Sequence, residues 1–242
     1  MPYATVHGSP GARVRFLGLS AIYWPALVAT FLCGWFLHAL FPVGLPRWAA
    51  AMALLALAGA AWAFSDRCAR RFGRFLKGAQ GEEAVARELA LLPAGWTVLH
   101  GIPRTGVEAL RGGGDFDHVA LGARSVFVIE TKNWSGPVRI EDAVFVAGGV
   151  RVPRSPVVQA RREAIELARA LRGVLPEGAA VRPLVCFAGN GLEEDRTAVD
   201  DTPVCNVRAL LDVLRERDAG ADGPPLGETV RDRIVAALLA RR

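Results

Sequence analysis

Lysine is almost absent from this chain. Of its 29 basic residues only Lys77 and Lys132 are lysines, so nearly every positive charge is a guanidinium. Arginine keeps its proton in any protein setting, whereas lysine is a compact point charge whose pKa follows its surroundings. A lysine set among so many arginines therefore marks a position to examine. Cysteine is sparse too. Cys33, Cys68, Cys186 and Cys205 are scattered, with no CxxC pair and no zinc spacing, which points to buried or membrane-embedded thiols in a reducing compartment. A Walker loop, a Rossmann glycine fingerprint and a GxSxG elbow are all missing, so nucleotide hydrolysis and serine-hydrolase chemistry have no anchor. There is no internal repeat.

Charge is missing from one long stretch. Between Phe16 and Pro46 there is no Asp, Glu, Lys or Arg. Ile22 to Phe41 alone supplies about the 20 residues that cross a bilayer core. A second uncharged run, Trp48 to Ser65, follows the turn-forming segment Phe41–Pro46, and its small residues, Gly59 among them, suit close packing on the first helix. The reading is a transmembrane helical hairpin over 16–66, with helices at about 20–41 and 48–65. Arg13 and Arg15 precede it, a basic juxtamembrane linker at 67–77 follows, and only Arg47 lies between. The positive-inside rule then puts both termini in the cytoplasm: residues 1–15 as a short tail, and the soluble part with them. High apolar content (52% of 242 residues) fits such a hairpin. The net charge of +5 allows a polyanionic partner, nucleic acid or anionic lipid.

Beyond Lys77 the pattern changes to alternating elements. Apolar spacing at Val85, Leu89 and Leu92 predicts a helix after Glu82. Strands are predicted at Trp96–Ile102, Asp115–Leu121, Ser125–Asn133, Val138–Glu141, Val144–Val146, Val150–Val152, Val181–Ala188 and Pro203–Val207. Helices are predicted from Pro156 to about Arg172, Ala209 to Arg217 and Gly227 to Arg241. The order indicates an α/β fold with a mixed central sheet flanked by helices. Residues 78–190 form its principal part, and 191–242 complete or flank it.

The most informative stretch runs from Gly112 to Gly136, GGGDFDHVALGARSVFVIETKNWSG. Gly122–Arg124 is the turn of a hairpin. Side chains alternate along a strand, so Glu130 and Lys132 share a face, and Asp117 lies on the partner strand. Asp115 would share the face of Asp117. Two carboxylates and an amine from neighbouring strands suit a divalent cation and an attacking water. Asp117 and Glu130, with the carbonyl of Thr131, are the candidate oxygen ligands, and Lys132 would orient or help deprotonate the water. Glu82 is a further candidate acid. His118 points to the opposite face, as a core or supporting residue. Gln159, Arg161 and Arg162 lie on the helix after Pro156, where they would meet substrate backbone.

Taken in order, Gly78, Gly81 and Glu82, then Asp117 and His118, then Glu130, Lys132, Asn133 and Gly136, with Gln159 more loosely, resemble the nuclease-related domain (NERD) family. That family is similar to the PD-(D/E)xK restriction-endonuclease-like superfamily. The resemblance implies a restriction-endonuclease-like sheet, metal-binding roles for Asp117 and Glu130, and a catalytic role for Lys132. The expectation is a membrane-anchored nuclease that uses Mg²⁺ or Mn²⁺ to hydrolyse phosphodiesters of nucleic acid, DNA ahead of RNA. The alternative is a catalytically inactive nucleic-acid-binding or scaffold module at the membrane.

Overall fold

The computed structural model describes residues 3–40, 46–104, 114–189 and 191–241. It divides into two compact units, Arg13–Lys77 on one side and Met1–Ala12 with Gly78–Arg242 on the other. The expected turn at Phe41–Pro46 and the glycine-rich loop before Gly114 fall largely outside the described residues.

The smaller unit is built from helix α1 (Ala12–Leu40) and the first part of helix α2 (Arg47–Leu89). The two meet closely at Gly18, where an added Cβ would stand 3.0 Å from the Cβ of Phe75. Gly59, expected to serve that purpose, has open space around it. Large apolar side chains point outward on both helices, among them Trp24, Phe31 and Trp35 on α1 and Trp48, Leu55 and Trp62 on α2. Among the described residues one segment, Arg15–His38, is long and apolar enough to cross a membrane. Residues 67–77, expected as a basic juxtamembrane linker, are helical, because α2 runs unbroken from Arg47 to Leu89. No proline or turn signal interrupts that run, and arginine and alanine both favour helix.

The larger unit is centred on a seven-stranded sheet. In chain order its strands are β1 (Thr5–His7), β2 (Thr97–Pro103), β3 (Asp115–Leu121), β4 (Ser125–Lys132), β8 (Ala180–Phe187), β9 (Arg196–Val199) and β10 (Thr202–Asn206), and in space they run β1-β2-β3-β4-β8-β10-β9. β2, β3 and β4 form an antiparallel meander, while β4, β8 and β10 are parallel to one another. A small three-stranded sheet, β5 (Val138–Glu141), β6 (Val144–Ala147) and β7 (Val150–Arg151), follows β4, and helix α3 (Pro156–Ala170) leads on to β8. Helices α4 (Leu210–Ala219) and α5 (Glu228–Leu239) close the chain. Two strands were not anticipated. The expected polar tail at 1–15 contains β1, paired in parallel with β2, and β9 is an edge strand antiparallel to β10. Both are short and carry few apolar residues, so they lack the periodic signal that reveals longer strands.

Alternation along β4 assigns its neighbours. Phe127 and Ile129 enter one cluster with Val85 and Leu89 of α2 and Leu214 of α4. Val126 and Val128 enter the other, with Leu167 of α3 and Ile234 of α5. Being buried on both faces, β4 reads as a continuous apolar run until Glu130. A third cluster joins Val138 and Phe145 of the small sheet to Val157 of α3 and Phe187 of β8.

The turn between β3 and β4 is held from a distance. Asp218, buried at the end of α4, accepts hydrogen bonds from the backbone N–H groups of Ala123, Arg124 and Ser125 at 2.8–2.9 Å. Gly122 is required beside it, since a Cβ there would lie 2.5 Å from the Asp218 carboxyl carbon. Removing the carboxylate strips three N–H groups of their acceptor, each worth roughly 1–3 kcal/mol when buried and unmet. Asp218→Ala should therefore destabilise the larger unit by about 3 kcal/mol, with Asp218→Asn losing less. Urea titration of the detergent-solubilised chain, followed by tryptophan fluorescence, measures this.

Candidate functional site

The C-terminal ends of β4 and β8 lie side by side, with Lys132 opposite Phe187 in the parallel register. β3 approaches from the other side. Its His118 pairs with Ile129, and its Asp117 accepts a hydrogen bond from the Thr131 N–H at 2.9 Å. That bond identifies Asp117 as the aspartate joined to β4, while Asp115 lies at the end of β3 opposite Pro103. Thr131, expected to offer a carbonyl, is itself buried and gives its N–H to Asp117.

Glu130 is 3% exposed, and its carboxylate is bound by the Lys132 ammonium on the same face. Lys132 also donates to Oε1 of Gln159 at 3.0 Å. Gln159, expected to meet substrate, thus connects to Lys132, and its amide donates to Glu163 one turn along α3 at 3.1 Å. The sequence reading passed over Glu163, although its spacing of four from Gln159 puts both on one face of α3. It also passed over Arg104, which donates to Glu163 at 3.2 Å and makes a two-pronged contact with Glu166 at 2.6–2.7 Å. Arg161 lies apart from this chain of bonds, while Arg162 joins its outer end at Glu166. Arg161 reaches Asp200 at 3.4 Å on the exposed side of α3, and Arg162 reaches Glu166 at 3.0 Å.

Glu82 comes from α2. Its helix is seated against the end of β4 at Gly81, where a Cβ would come within 2.6 Å of the Asn133 Cβ. The motif glycine at 81 is therefore a matter of close approach. Gly136, with φ +81, is a close approach too: a Cβ there would lie 3.2 Å from the Gly148 Cα. The Glu82 carboxylate accepts from the Gly11 N–H at 2.9 Å.

These acids oppose one another's ionisation. Burial, with the charges of Glu130 and Asp115, lifts Glu82 to about 7 despite the Gly11 hydrogen bond. Burial, Glu130, Glu82 and Glu163 push Asp117 well above the usual carboxylate range. Burial and Glu130 carry Glu163 to about 8. Burial alone would lower Lys132, but the carboxylate of Glu130, with Asp117 and Glu163 behind it, more than offsets this and raises it. Lys132 is accordingly an ammonium at neutral pH. On the opposite face of β3, His118 stacks edge-on against His100, with their Nδ1 atoms 2.7 Å apart, and burial holds its pKa well below the usual histidine value.

The donor set fits a small hard dication: Glu82, Asp117 and Glu130 come from three elements, and the crowding that raises the proton affinity of Glu82 and Asp117 is what such an ion would relieve. As the side chains stand, Lys132 engages Glu130 and the Thr131 N–H engages Asp117. Among the described residues no three His, Cys, Asp or Glu side chains already form a metal-holding group.

Residues 77–188 match the sequence model of NERD, the nuclease-related domain. No curated protein and no solved structure matches the chain.

The raised acids imply a pH dependence. With a folded pKa of about 7 against an ordinary 4.5, Glu82 binds more protons folded than unfolded throughout that interval. Its contribution is fully present below about 4.5 and is lost as pH rises to about 7. His118 works in the opposite sense, so the diagnostic is a difference. The melting temperature of Glu82→Gln minus that of the native chain, measured in EDTA, should grow from about pH 4.5 to about pH 7 and then level off.

Proposed function

We propose that this nuclease-related domain hydrolyses phosphodiester bonds of DNA or RNA with Mg²⁺ or Mn²⁺, on a chain anchored in a membrane through residues 16–66. The observation that carries the reading is the joining of Asp117, Glu130, Lys132 and Gln159 across two adjacent strand ends and one helix, with Glu82 and Glu163 in the same electrostatic neighbourhood.

Phosphodiester hydrolysis must offset charge developing on the phosphoryl oxygens and present a water in line with the leaving group. Asp117 and Glu130 would hold the cation, with Glu82 as a further acid and the Thr131 carbonyl as a backbone oxygen. When bound, the ion supplies a nucleophilic water at neutral pH and polarises the phosphoryl group. Lys132 acts as an ammonium, placed by Glu130 and by Gln159 to orient the water and offset the developing charge. Gln159 keeps that ammonium in place, and the Arg104–Glu163 pair supports Gln159 in turn. A cavity of about 710 Å³ lies next to Gln159, lined by Arg104, Arg154, Ser155 and Arg162. Its guanidiniums provide a path for a phosphate backbone, with Arg161 further out on the same helix.

Support for the anchor is the apolar segment Arg15–His38 with its outward apolar side chains, matched by Trp48, Leu55 and Trp62 on α2. By the positive-inside rule, the flanking arginines support a cytoplasmic side for both termini and the domain. One observation favours a second reading, a non-catalytic nucleic-acid-binding or scaffold module: Lys132 and Glu130 neutralise each other as they stand.

The two readings separate experimentally. The solubilised full chain should cleave labelled DNA or RNA only with Mg²⁺ or Mn²⁺, and Lys132→Ala should reduce the rate by about 10²–10⁴-fold in a chain that circular dichroism shows still folded at the assay temperature. Calorimetry should show Mg²⁺ binding that Asp117→Asn weakens by about tenfold or more. Salt-sensitive nucleic-acid binding indifferent to metal and to both substitutions would establish the scaffold instead.

A further inference from the structure

We infer that Gly11 is a positioning residue for Glu82, delivered to it by the N-terminal strand; this rests on Glu82 being a working acid of the proposed site. β1 fixes the chain first. Thr5 lies opposite Thr97 and His7 opposite Leu99 in parallel register, while the Ala4 and Thr5 N–H groups donate to Leu92 at 2.9 Å and to Trp96 at 3.0 Å. The chain then turns. Gly8 has φ +94, and the Ser9 carbonyl passes over Gly101, where a Cβ would meet it at 3.5 Å. Gly11 follows and places its N–H 2.9 Å from Oε2 of Glu82.

Glycine is required at position 11 on two independent grounds. Its φ is +68, a conformation that side-chain-bearing residues adopt only at a cost. An added Cβ would also lie 3.0 Å from the Cβ, 3.1 Å from the Cα and 3.2 Å from the carbonyl oxygen of Ala79. Two of those three atoms are backbone, so they cannot swing aside. The bare backbone is what allows this segment to reach the turn of α2 that carries Glu82.

The need for such a donor follows from the neighbourhood. Glu82 is surrounded by like charge, from Glu130 on β4 and from Asp115 and Asp117 on β3. A carboxylate among carboxylates is pushed outward, and a fixed N–H directed at one of its oxygens opposes that push. Gly11 is also the residue immediately before α1, so the segment that holds Glu82 is the one that enters the apolar run Arg15–His38. A fragment starting near Lys77 would carry the other acids of the site but lack this contact.

A double-mutant cycle on the solubilised full chain tests the inference. Gly11→Ala should lower kcat by about tenfold with little change in KM, as loss of an outer partner of a site ligand does. In a Glu82→Gln background the same substitution should change kcat by less than about twofold, because the residue through which it acts has already been altered. Equal losses in both backgrounds would overturn the assignment and make Gly11 a fold residue only. A second measurement leaves Gly11 untouched. In Glu82→Ala, amide exchange at Gly11 should accelerate by about tenfold or more while Val6 and His7 in β1 keep their protection. Unchanged exchange at Gly11 also overturns it. Accelerated exchange in a chain that cleaves no nucleic acid would sink the hydrolase reading and leave the contact standing.

Discussion

One ammonium set against four crowded carboxyl groups organises the larger unit. Lys132 binds Glu130 at the end of the central strand, with Asp117, Glu163 and Glu82 close enough to raise one another's proton affinity. A charge cluster this buried is costly unless each member is bonded or protonated. The surrounding structure meets that demand piece by piece: Thr131 N–H for Asp117, Gln159 and Arg104 for Glu163, Gly11 N–H for Glu82. Each of these partners comes from a different part of the chain. The site is therefore assembled by the fold, and the fold is constrained by the site.

The remaining architecture explains how those parts are brought to one place. β4 is buried on both faces, so its apolar run from Val126 to Ile129 fixes the strand between α2 on one side and α3 on the other. Alternation then turns Glu130 and Lys132 toward the α3 face, where Gln159 and Glu163 await them one helical turn apart. At the far end of the hairpin, Asp218 grips the turn through three backbone N–H groups. With its turn held, the hairpin has a fixed register, and a one-residue slip would move Glu130 and Lys132 to the wrong face.

Much of this was legible in the residues. The hairpin from Asp115 to Lys132, the helix beginning at Pro156 and the pairing of Glu130 with Lys132 follow from periodicity two, from a proline at a helix start and from alternation. The parts that were not legible share a physical cause. β1 and β9 are three and four residues long and derive their stability from neighbouring strands, leaving little pattern of their own. Arg104 and Asp218 are single charged residues whose partners lie 59 to 95 positions away in sequence, and Glu163 meets its cation, Arg104, across 59 of them. A charged residue with no local partner reads as solvated surface until the contact is seen.

Sequence by itself determined the local quantities: where apolar periodicity makes strand or helix, where charge is withheld over thirty or so residues, and which acids and which lysine share a strand face. Those depend on neighbours within a few positions, and the chain carries that information directly. Tertiary structure alone decided that the N-terminal tail is a strand and that Gly11 and Glu163 join the acids. Such outcomes depend on buried charge seeking a partner anywhere within reach, and reach in three dimensions is set by packing rather than by position along the chain.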